Sequence, residues 1–339
     1  MFVSVSTTAP VSLREPMNDD LLTVRDDAPT GPRHPPFFIV GFQRSGTTLL
    51  RLMVDSHPRV SVPLDVVGLW ARYATRLDAE FGGLATDDDL RRLVEALLSE
   101  ERIRLWDVEL PARRIVSSVA ERSFPAVIDA FNAAYAAAKG KGRWGGKDPG
   151  DMRRIHLLDE WFPEARFVHI LRDGRDACLS LVAQEFGPDD LLACADAWRE
   201  EVWWVRRIGR LLGPERYHEL RYEDLVTDPE SVLRPLCDFL ALEFDPAMLA
   251  YHRRVGDAVP DEKRHIWPLI DSPPQADNVE RWRMRLSPGM RVCFEKRAGD
   301  VLAECGYDVL EGRPSGAYAT EAAVMLRRTL GALRRRLLS

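Results

Sequence analysis

The sequence predicts an α/β fold in which helices cover both faces of a largely parallel sheet. Strand signals occur at 37–40, 143–147, 166–171 and 216–220. Helical patterns lie between them, one that begins at Leu49 and is stopped by Pro58 and others at 151–161, 175–186 and 189–211. Strands that alternate with helices are typical of βαβ units, because parallel strands need a crossover connection. Ligands of such sheets bind outside the carboxyl ends of the strands, so the loops after the strands are the first place to look for a site.

The first strand leads into a glycine-bounded loop and then a helix. Four apolar residues, 37–40, predict a buried strand, and an apolar helical stripe begins near Leu49 and ends before Pro58. A turn of this kind directs backbone N–H groups and the positive end of a helix toward one point. The segment therefore predicts an anion site.

This loop differs from the usual nucleotide loop, GxxxxGK[ST], whose lysine reaches the outer phosphates. Gly41 and Gly46 keep the spacing and Thr48 keeps the hydroxyl position. Thr47, however, stands in place of the lysine, and the nearby cation is Arg44. The change indicates a phosphate group with fewer charges to neutralise, bound without a metal ion.

The loop resembles the 5′-phosphosulfate loop of sulfotransferases that use 3′-phosphoadenylyl sulfate (PAPS). Many members carry lysine before Ser-Gly-Thr, whereas tyrosylprotein sulfotransferases and many bacterial enzymes carry arginine. The similarity extends over about 36–308 and is weakest between 66 and 142. It implies a three-layer α/β/α sandwich related to P-loop nucleotide kinases. It also implies that the cofactor is bound by Arg44, Ser45, Gly46, Thr47 and Thr48, with Arg44 acting in catalysis as well.

A second motif follows the strand at 166–171. The strand delivers Arg172, and the helix after it carries Ser180. A guanidinium is a planar, permanently charged fork, which suits a phosphate. The resemblance implies that Arg172 and Ser180, eight residues apart, hold the 3′-phosphate of PAPS. In the alternative interpretation, Arg172 pairs with Asp173 or Asp176 at the helix entrance.

Two further residues are catalytic candidates by resemblance. Lys147 ends a strand, where its ammonium would donate to the sulfuryl group; the alternative is a solvated lysine near Asp148. Asp65 lies where relatives place a glutamate that serves as general base, although aspartate is one methylene shorter. The alternative for Asp65 is the N-cap of a helix over 66–72. His57 is a weaker candidate for the base.

Two positions complete the predicted site. Tyr222 begins a Tyr-Glu-Asp-Leu segment that matches a family signature, and the resemblance places its ring near the adenine or the ribose. Arg281 stands beside Trp282, where relatives carry a basic residue in a segment that closes over the cofactor. His169 is expected to be a core histidine.

Composition narrows the function class. The chain has 339 residues, 45% of them hydrophobic, with a net charge of −6 and a pI near 5.8, which argues against a nucleic-acid partner. Five cysteines without metal-ligand spacing disfavour disulfides and structural metals. No apolar run is long enough to span a membrane, and no secretory signal precedes the domain. These observations predict a cytoplasmic protein.

Three segments are predicted. Residues 1–34 lack periodicity and predict a disordered tail, whereas 35–312 form the sulfotransferase domain with a helical substrate cap inserted at about 66–140. Residues 313–339 predict a basic amphipathic helix. That helix is expected to pack on its own domain or on the second subunit of a homodimer; contact with a membrane surface is the alternative.

The leading hypothesis is therefore a PAPS-dependent sulfotransferase that works without metal. It would transfer a sulfuryl group by in-line displacement to a hydroxyl of an unidentified small molecule, sugar or lipid. One alternative is an ATP-dependent small-molecule kinase, which would need a lysine in place of Thr47. A non-catalytic nucleotide-binding protein is the other, since Asp65 replaces the glutamate of the relatives.

Overall fold

The computed structural model describes residues 34–148, 150–253 and 270–310. The tail predicted over 1–34 lies outside the described residues except for His34. The basic helix predicted over 313–339 also lies outside them.

The described residues contain a five-stranded parallel sheet, which confirms the predicted fold class. The strands are β1 (Phe37–Val40), β2 (Val60–Ser61), β3 (Arg143–Lys147), β4 (Arg166–Leu171) and β5 (Tyr217–Arg221). Their order across the sheet is β2-β3-β1-β4-β5. The central strand β1 pairs with β3 on one side and β4 on the other, with Phe37 opposite both Gly145 and Arg166. All five carboxyl ends therefore face the same edge.

Helices account for most of the remaining described residues. They are α1 (Thr47–Asp55), α2 (Leu69–Ala74), α3 (Leu77–Phe81), α4 (Asp87–Ser99), α5 (Glu101–Arg104), α6 (Ala112–Ser118), α7 (Phe124–Ala138), α8 (Asp151–Trp161), α9 (Gly174–Val182), α10 (Leu191–Leu212), α11 (Tyr222–Thr227), α12 (Pro229–Leu240), α13 (Trp282–Arg285) and α14 (Pro288–Glu304). The regular structure between 66 and 140 is helical, as predicted. No helix of the described ranges combines the length and apolarity needed to cross a bilayer.

The core lies on both faces of β1. Phe37 and Ile39 point to one face, into an apolar cluster that α1 and α12 complete. Phe38 and Val40 point to the other face, into a larger cluster shared with α10 and with the helices of the insertion. Alternate residues of a strand face opposite sides, so a strand buried on both faces needs an uninterrupted apolar run. This requirement explains the Phe-Phe-Ile-Val sequence.

Candidate functional site

A cavity of about 790 Å³ opens at the carboxyl ends of the strands. The connection from β1 leaves toward the β2 edge and that from β4 toward the β5 edge, so these neighbouring strands flank a crevice of the kind that binds ligands in open α/β sheets. All but one of the predicted site residues line the cavity, namely Arg44, Gly46, Thr47, Thr48, Asp65, Lys147, Arg172, Ser180, Tyr222 and Arg281. The exception, Ser45, is 1% exposed, and its proposed contact with the cofactor stays a prediction.

The loop after β1 is held in a tight turn by its backbone. The Ser45 N–H donates to the Phe42 carbonyl at 3.0 Å, and the Gly46 carbonyl accepts from the Leu50 N–H at 3.0 Å as α1 begins. Gly46 has a φ of 93°, a left-handed conformation in which a side chain is strained. A Cβ there would also lie 2.5 Å from Cδ2 of Tyr222. Glycine is therefore required where the loop meets the helix.

Gly41, at the start of this loop, provides a test of the close packing. An added Cβ would lie 2.7 Å from the Ile170 carbonyl oxygen and 2.9 Å from Cγ2 of Thr47. We expect Gly41→Ala to lower the free energy of unfolding by about 1–3 kcal/mol, because backbone must move to make room. Urea denaturation measures the change. Gly289→Ala in α14, where nothing lies within 4 Å, is the control and should leave stability unchanged or raised; equal losses would contradict the argument.

Two guanidinium groups approach each other inside the cavity. Arg44 Nε donates to Ser180 Oγ at 3.2 Å, and Arg172 Nη1 donates to the Arg44 carbonyl at 2.7 Å. Burial, and then the charge of Arg172, lower the pKa of Arg44. Two neighbouring cations repel each other, so an anion bound between them would be stabilised by both.

Arg172 is held by neutral groups. Its Nη2 donates to the Asn278 carbonyl at 2.9 Å, and its guanidinium carbon lies 4.2 Å from the centre of the Tyr222 ring. Its Nε is buried without a hydrogen-bond partner among the described residues. Arg172 forms no ion pair there with Asp173 or Asp176, so the alternative interpretation of this motif is not what the structure shows. The guanidinium keeps the capacity to bind an anion.

The other arginine of the motif has a different role. Arg175 is almost fully buried and pairs with Asp173 at 2.7 Å and with Glu295 at 2.8 Å. Its guanidinium also lies 3.7 Å from the centre of the Trp282 ring. These contacts fasten α14 and the start of α13 to the turn after β4. Arg175 therefore has a structural role: it holds together the segments that surround the cavity.

Asn278 accepts hydrogen bonds from two arginines of the cavity, Arg172 and Arg281. Its carbonyl oxygen accepts from Arg172, and its side-chain Oδ1 accepts from Arg281 Nη1, each at 2.9 Å. The segment that carries Asn278 thus places two acceptor oxygens in front of two guanidinium groups. A phosphate group presents acceptor oxygens in the same manner.

Asp65 and Lys147 form a second centre in the cavity. Lys147 Nζ lies 3.8 Å from Asp65 Oδ1, and both side chains are largely buried. Burial raises the pKa of Asp65, but the charges of Lys147 and Arg51 outweigh it and hold the pKa below its usual range. Helix α2 begins at Leu69 after Gly68, so the alternative role of Asp65 as its N-cap is wrong. Asp65 is an ionised carboxylate, able to accept a proton.

His57, the weaker candidate for the base, and His169, the expected core histidine, both form hydrogen bonds away from the cavity. Nε2 of His57 lies 2.9 Å from the Glu243 carbonyl, and its Nδ1 accepts from the Arg59 N–H at 3.1 Å. His169 is fully buried, with Nδ1 2.7 Å from the Tyr217 hydroxyl. Neither is among the residues that line the cavity.

Sequence reasoning missed several residues of the cavity wall: Gln43, Arg102, Asp176, Tyr251, Asn278 and Arg285. Asp176 lies between Arg172 and Ser180 in the second motif, so its position in the sequence could have marked it as a cavity residue. Arg102 lies in the helical insertion, where no local pattern marks it. The described ranges contain no group of three or more His, Cys, Asp or Glu residues that could hold a metal ion.

Comparison with protein families gives a match over most of the described chain. Residues 35–246 match the sulfotransferase family. Protein-tyrosine sulfotransferase of Drosophila melanogaster is 26% identical over 289 residues, which cover 83% of this chain and 53% of the relative. Protein-tyrosine sulfotransferase A of Caenorhabditis elegans is 27% identical over 295 residues, covering 85% of this chain and 71% of the relative. The chain thus spans about half the length of the first relative.

Solved structures with a similar fold include two sulfotransferase domains. The domain from the olefin synthase of Synechococcus PCC 7002 has a TM-score of 0.56 and 22% identity, covering 84% of this chain and 98% of that domain. The domain from the curacin biosynthetic pathway has a TM-score of 0.52 and 18% identity, covering 82% of this chain and 100% of that domain. At these identities, the similarity to the two domains shows a shared fold.

Proposed function

The chain belongs to the sulfotransferase family, and we propose that it transfers the sulfuryl group of PAPS to a hydroxyl of an acceptor molecule. The observation that carries the proposal is the pairing of Arg44 and Arg172 at a phosphate loop whose lysine is replaced by Thr47. A small molecule, a sugar or a lipid is the proposed acceptor.

The cavity wall suits the nucleotide at both of its charged ends. At the 5′ end, loop N–H groups and the hydroxyls of Thr47 and Thr48 would donate to the phosphosulfate. At the 3′ end, Arg172 and Ser180 would hold the phosphate, with Arg172 exchanging the Asn278 carbonyl for phosphate oxygens. The unpartnered Nε of Arg172 supports this fit, because a buried donor without a partner is costly.

Tyr222 and Arg281 would close the nucleotide site. The Tyr222 ring packs beside Gly46 and against the Arg172 guanidinium, so an aromatic ring lies between the loop and Arg172. Arg281 is exposed and turned toward Asn278, so it can move to a phosphate at small cost. These positions favour contact of Tyr222 with the ribose or adenine.

Where the sulfuryl group is transferred, Asp65 would accept the proton and Lys147 would stabilise the negative charge that develops. The acceptor oxygen attacks sulfur as the bond from sulfur to the phosphate oxygen breaks, and Asp65 takes the hydroxyl proton. The Lys147 ammonium would donate to the oxygen that leaves or to the sulfuryl oxygens, where negative charge collects. Adenosine 3′,5′-bisphosphate is then the second product.

Replacing Lys147 tests these two roles of Asp65 and Lys147. In Lys147→Met, Asp65 loses its nearest cation, so its pKa should rise. In the unmodified protein the lowered pKa keeps Asp65 ionised to lower pH. In the variant Asp65 should become protonated at a higher pH, so kcat/KM should begin to fall at a higher pH on the acid side. The maximal rate should drop about 10²–10³-fold with the lost donor. Lys296→Met removes an exposed lysine and should leave the profile unchanged. An unmoved acid limb in Lys147→Met would contradict the pairing.

Transfer of labelled sulfate from PAPS tests the reaction itself. The panel of acceptors should include a phenol, a sugar, a long-chain alcohol and a tyrosine peptide, the last because the relatives are named protein-tyrosine sulfotransferases. We expect a labelled acceptor and free adenosine 3′,5′-bisphosphate in the presence of excess chelator. Magnesium-dependent phosphorylation from ATP would instead indicate a kinase. Nucleotide binding without transfer to any acceptor would indicate a non-catalytic protein.

A further inference from the structure

Asp176 is a carboxylate of the cavity wall to which the mechanism above gives no role. It is 3% exposed, and its Oδ1 accepts from the Trp282 N–H at 2.7 Å. Its Oδ2 is buried and has no hydrogen-bond partner in the described part of the chain. A buried acceptor without a hydrogen bond costs free energy, and a ligand with a hydrogen-bond donor would remove that cost.

Arg172 precedes Asp176 by four residues, between the end of β4 and the start of α9, and it also has a side-chain atom without a partner among the residues that the structure describes. Both residues line the cavity, and the Arg172 Nε lacks a partner within the described ranges just as Asp176 Oδ2 does. Burial raises the pKa of Asp176, whereas the charge of Arg172 opposes that rise. The wall thus offers an unused donor on Arg172 and an unused acceptor on Asp176.

The proposed nucleotide carries the complementary pair. Its 3′-phosphate is an acceptor of hydrogen bonds, and the neighbouring 2′-hydroxyl of the same ribose is a donor. Carboxylates bind the ribose 2′-hydroxyl in dinucleotide sites for the same chemical reason. The negative charge of the 3′-phosphate does not exclude a carboxylate here, because Arg172, whose charge acts on Asp176, would also bind the phosphate.

We propose that Asp176 accepts a hydrogen bond from the 2′-hydroxyl of the bound nucleotide, so that the site selects ribonucleotides over 2′-deoxyribonucleotides. The inference rests on the proposed function, since it takes Arg172 as the ligand of the 3′-phosphate. Asp176 Oδ2 is closed to solvent in the structure. The contact therefore requires this part of the wall to rearrange when the nucleotide binds, as it must when Arg172 exchanges the Asn278 carbonyl for the phosphate.

Titration calorimetry with adenosine 3′,5′-bisphosphate and its 2′-deoxy analogue tests the proposal on the full chain. The ribonucleotide should bind at least about tenfold more tightly, the effect of one hydrogen bond to a charged group. Equal affinities would overturn the inference and leave the proposed function intact. Binding of neither compound would overturn both.

Two variants separate recognition from a merely structural role. Asp176→Ala should weaken the ribonucleotide alone, so that the two compounds bind equally. Ser180→Ala removes a ligand of the phosphate that both compounds share, and should weaken both by the same factor with their ratio preserved. If Asp176→Ala instead weakens both compounds alike, the residue serves only to anchor the Trp282 segment, and the inference fails. Should that variant not fold, the comparison on the unmodified chain still decides.

Discussion

Replacing Arg172 by alanine is expected to weaken the binding of adenosine 3′,5′-bisphosphate by about 10²–10⁴-fold. The reason is the loss of two charged hydrogen bonds to the 3′-phosphate, each worth about 1.5–3 kcal/mol. The structure places this guanidinium at the cavity wall, where its present partners are the neutral carbonyls of Arg44 and Asn278. Exchange of the Asn278 carbonyl for a phosphate strengthens the contact, because the acceptor becomes an anion. Titration calorimetry measures the effect.

Two controls sharpen this result. Arg172→Lys keeps the charge but not the planar fork, so an intermediate affinity is expected. Arg210→Ala removes an exposed arginine of α10 that pairs with Glu304, changes the net charge equally, and should leave affinity unchanged. An affinity of Arg172→Ala within twofold of the unmodified protein would contradict the assignment, provided that thermal unfolding shows both proteins folded.

Replacing Asp65 by asparagine is expected to lower kcat by about 10²–10⁴-fold, the usual contribution of a general base. The amide keeps the size of the side chain but cannot accept the proton of the acceptor hydroxyl. The affinity for adenosine 3′,5′-bisphosphate should not fall, because Asp65 faces Lys147 and not the predicted phosphate ligands. Initial rates with labelled PAPS, beside calorimetry, separate the two quantities.

The pH dependence gives a second readout for Asp65. Its pKa is held below the usual range by Lys147 and Arg51 in spite of burial, so the carboxylate stays ionised to lower pH than an ordinary aspartate. The unmodified protein should therefore keep its activity to lower pH than Lys147→Met does. Asp65→Glu, which keeps a carboxylate at this position, should retain much of the activity. A rate in Asp65→Asn equal to that of the unmodified protein would remove Asp65 from the mechanism.

Local sequence patterns predicted four of the five described strands and the loops that follow them, but not the two-residue strand β2. Strand β3 and helix α8 begin and end at the predicted residues, because turn residues bound both segments. Helix α9 ends at Val182, four residues earlier than predicted. The chain folds back so closely after it that a Cβ on Gly187 would lie 1.9 Å from the Leu181 carbonyl oxygen, a tertiary feature that helical periodicity does not record.

The start of α2 shows another limit of pattern reading. Asp65 resembled an N-cap, but the chain continues through Val67 and Gly68, both with positive φ, before the helix begins at Leu69. A β-branched residue rarely adopts this conformation, so sequence gives no reason to expect it at Val67. The two unusual residues leave Asp65 ahead of the helix and beside Lys147.

Long-range contacts account for the rest of the site. The sequence marked Arg172 and Ser180 from one local motif, and Arg44 from another. That Arg44 donates to Ser180, 136 residues away, and Arg172 to Asn278, 106 residues away, follows from tertiary packing alone. The partnerless oxygen of Asp176 is visible only after those contacts are known.

A crystal structure of the protein with adenosine 3′,5′-bisphosphate tests the nucleotide site most directly. We expect the 3′-phosphate on Arg172 and Ser180, the 5′-phosphate over the loop from Gly41 to Gly46, and the Asn278 carbonyl released from Arg172. A cavity without nucleotide at saturating concentration, or a nucleotide bound while Arg172 still donates to Asn278, would contradict it.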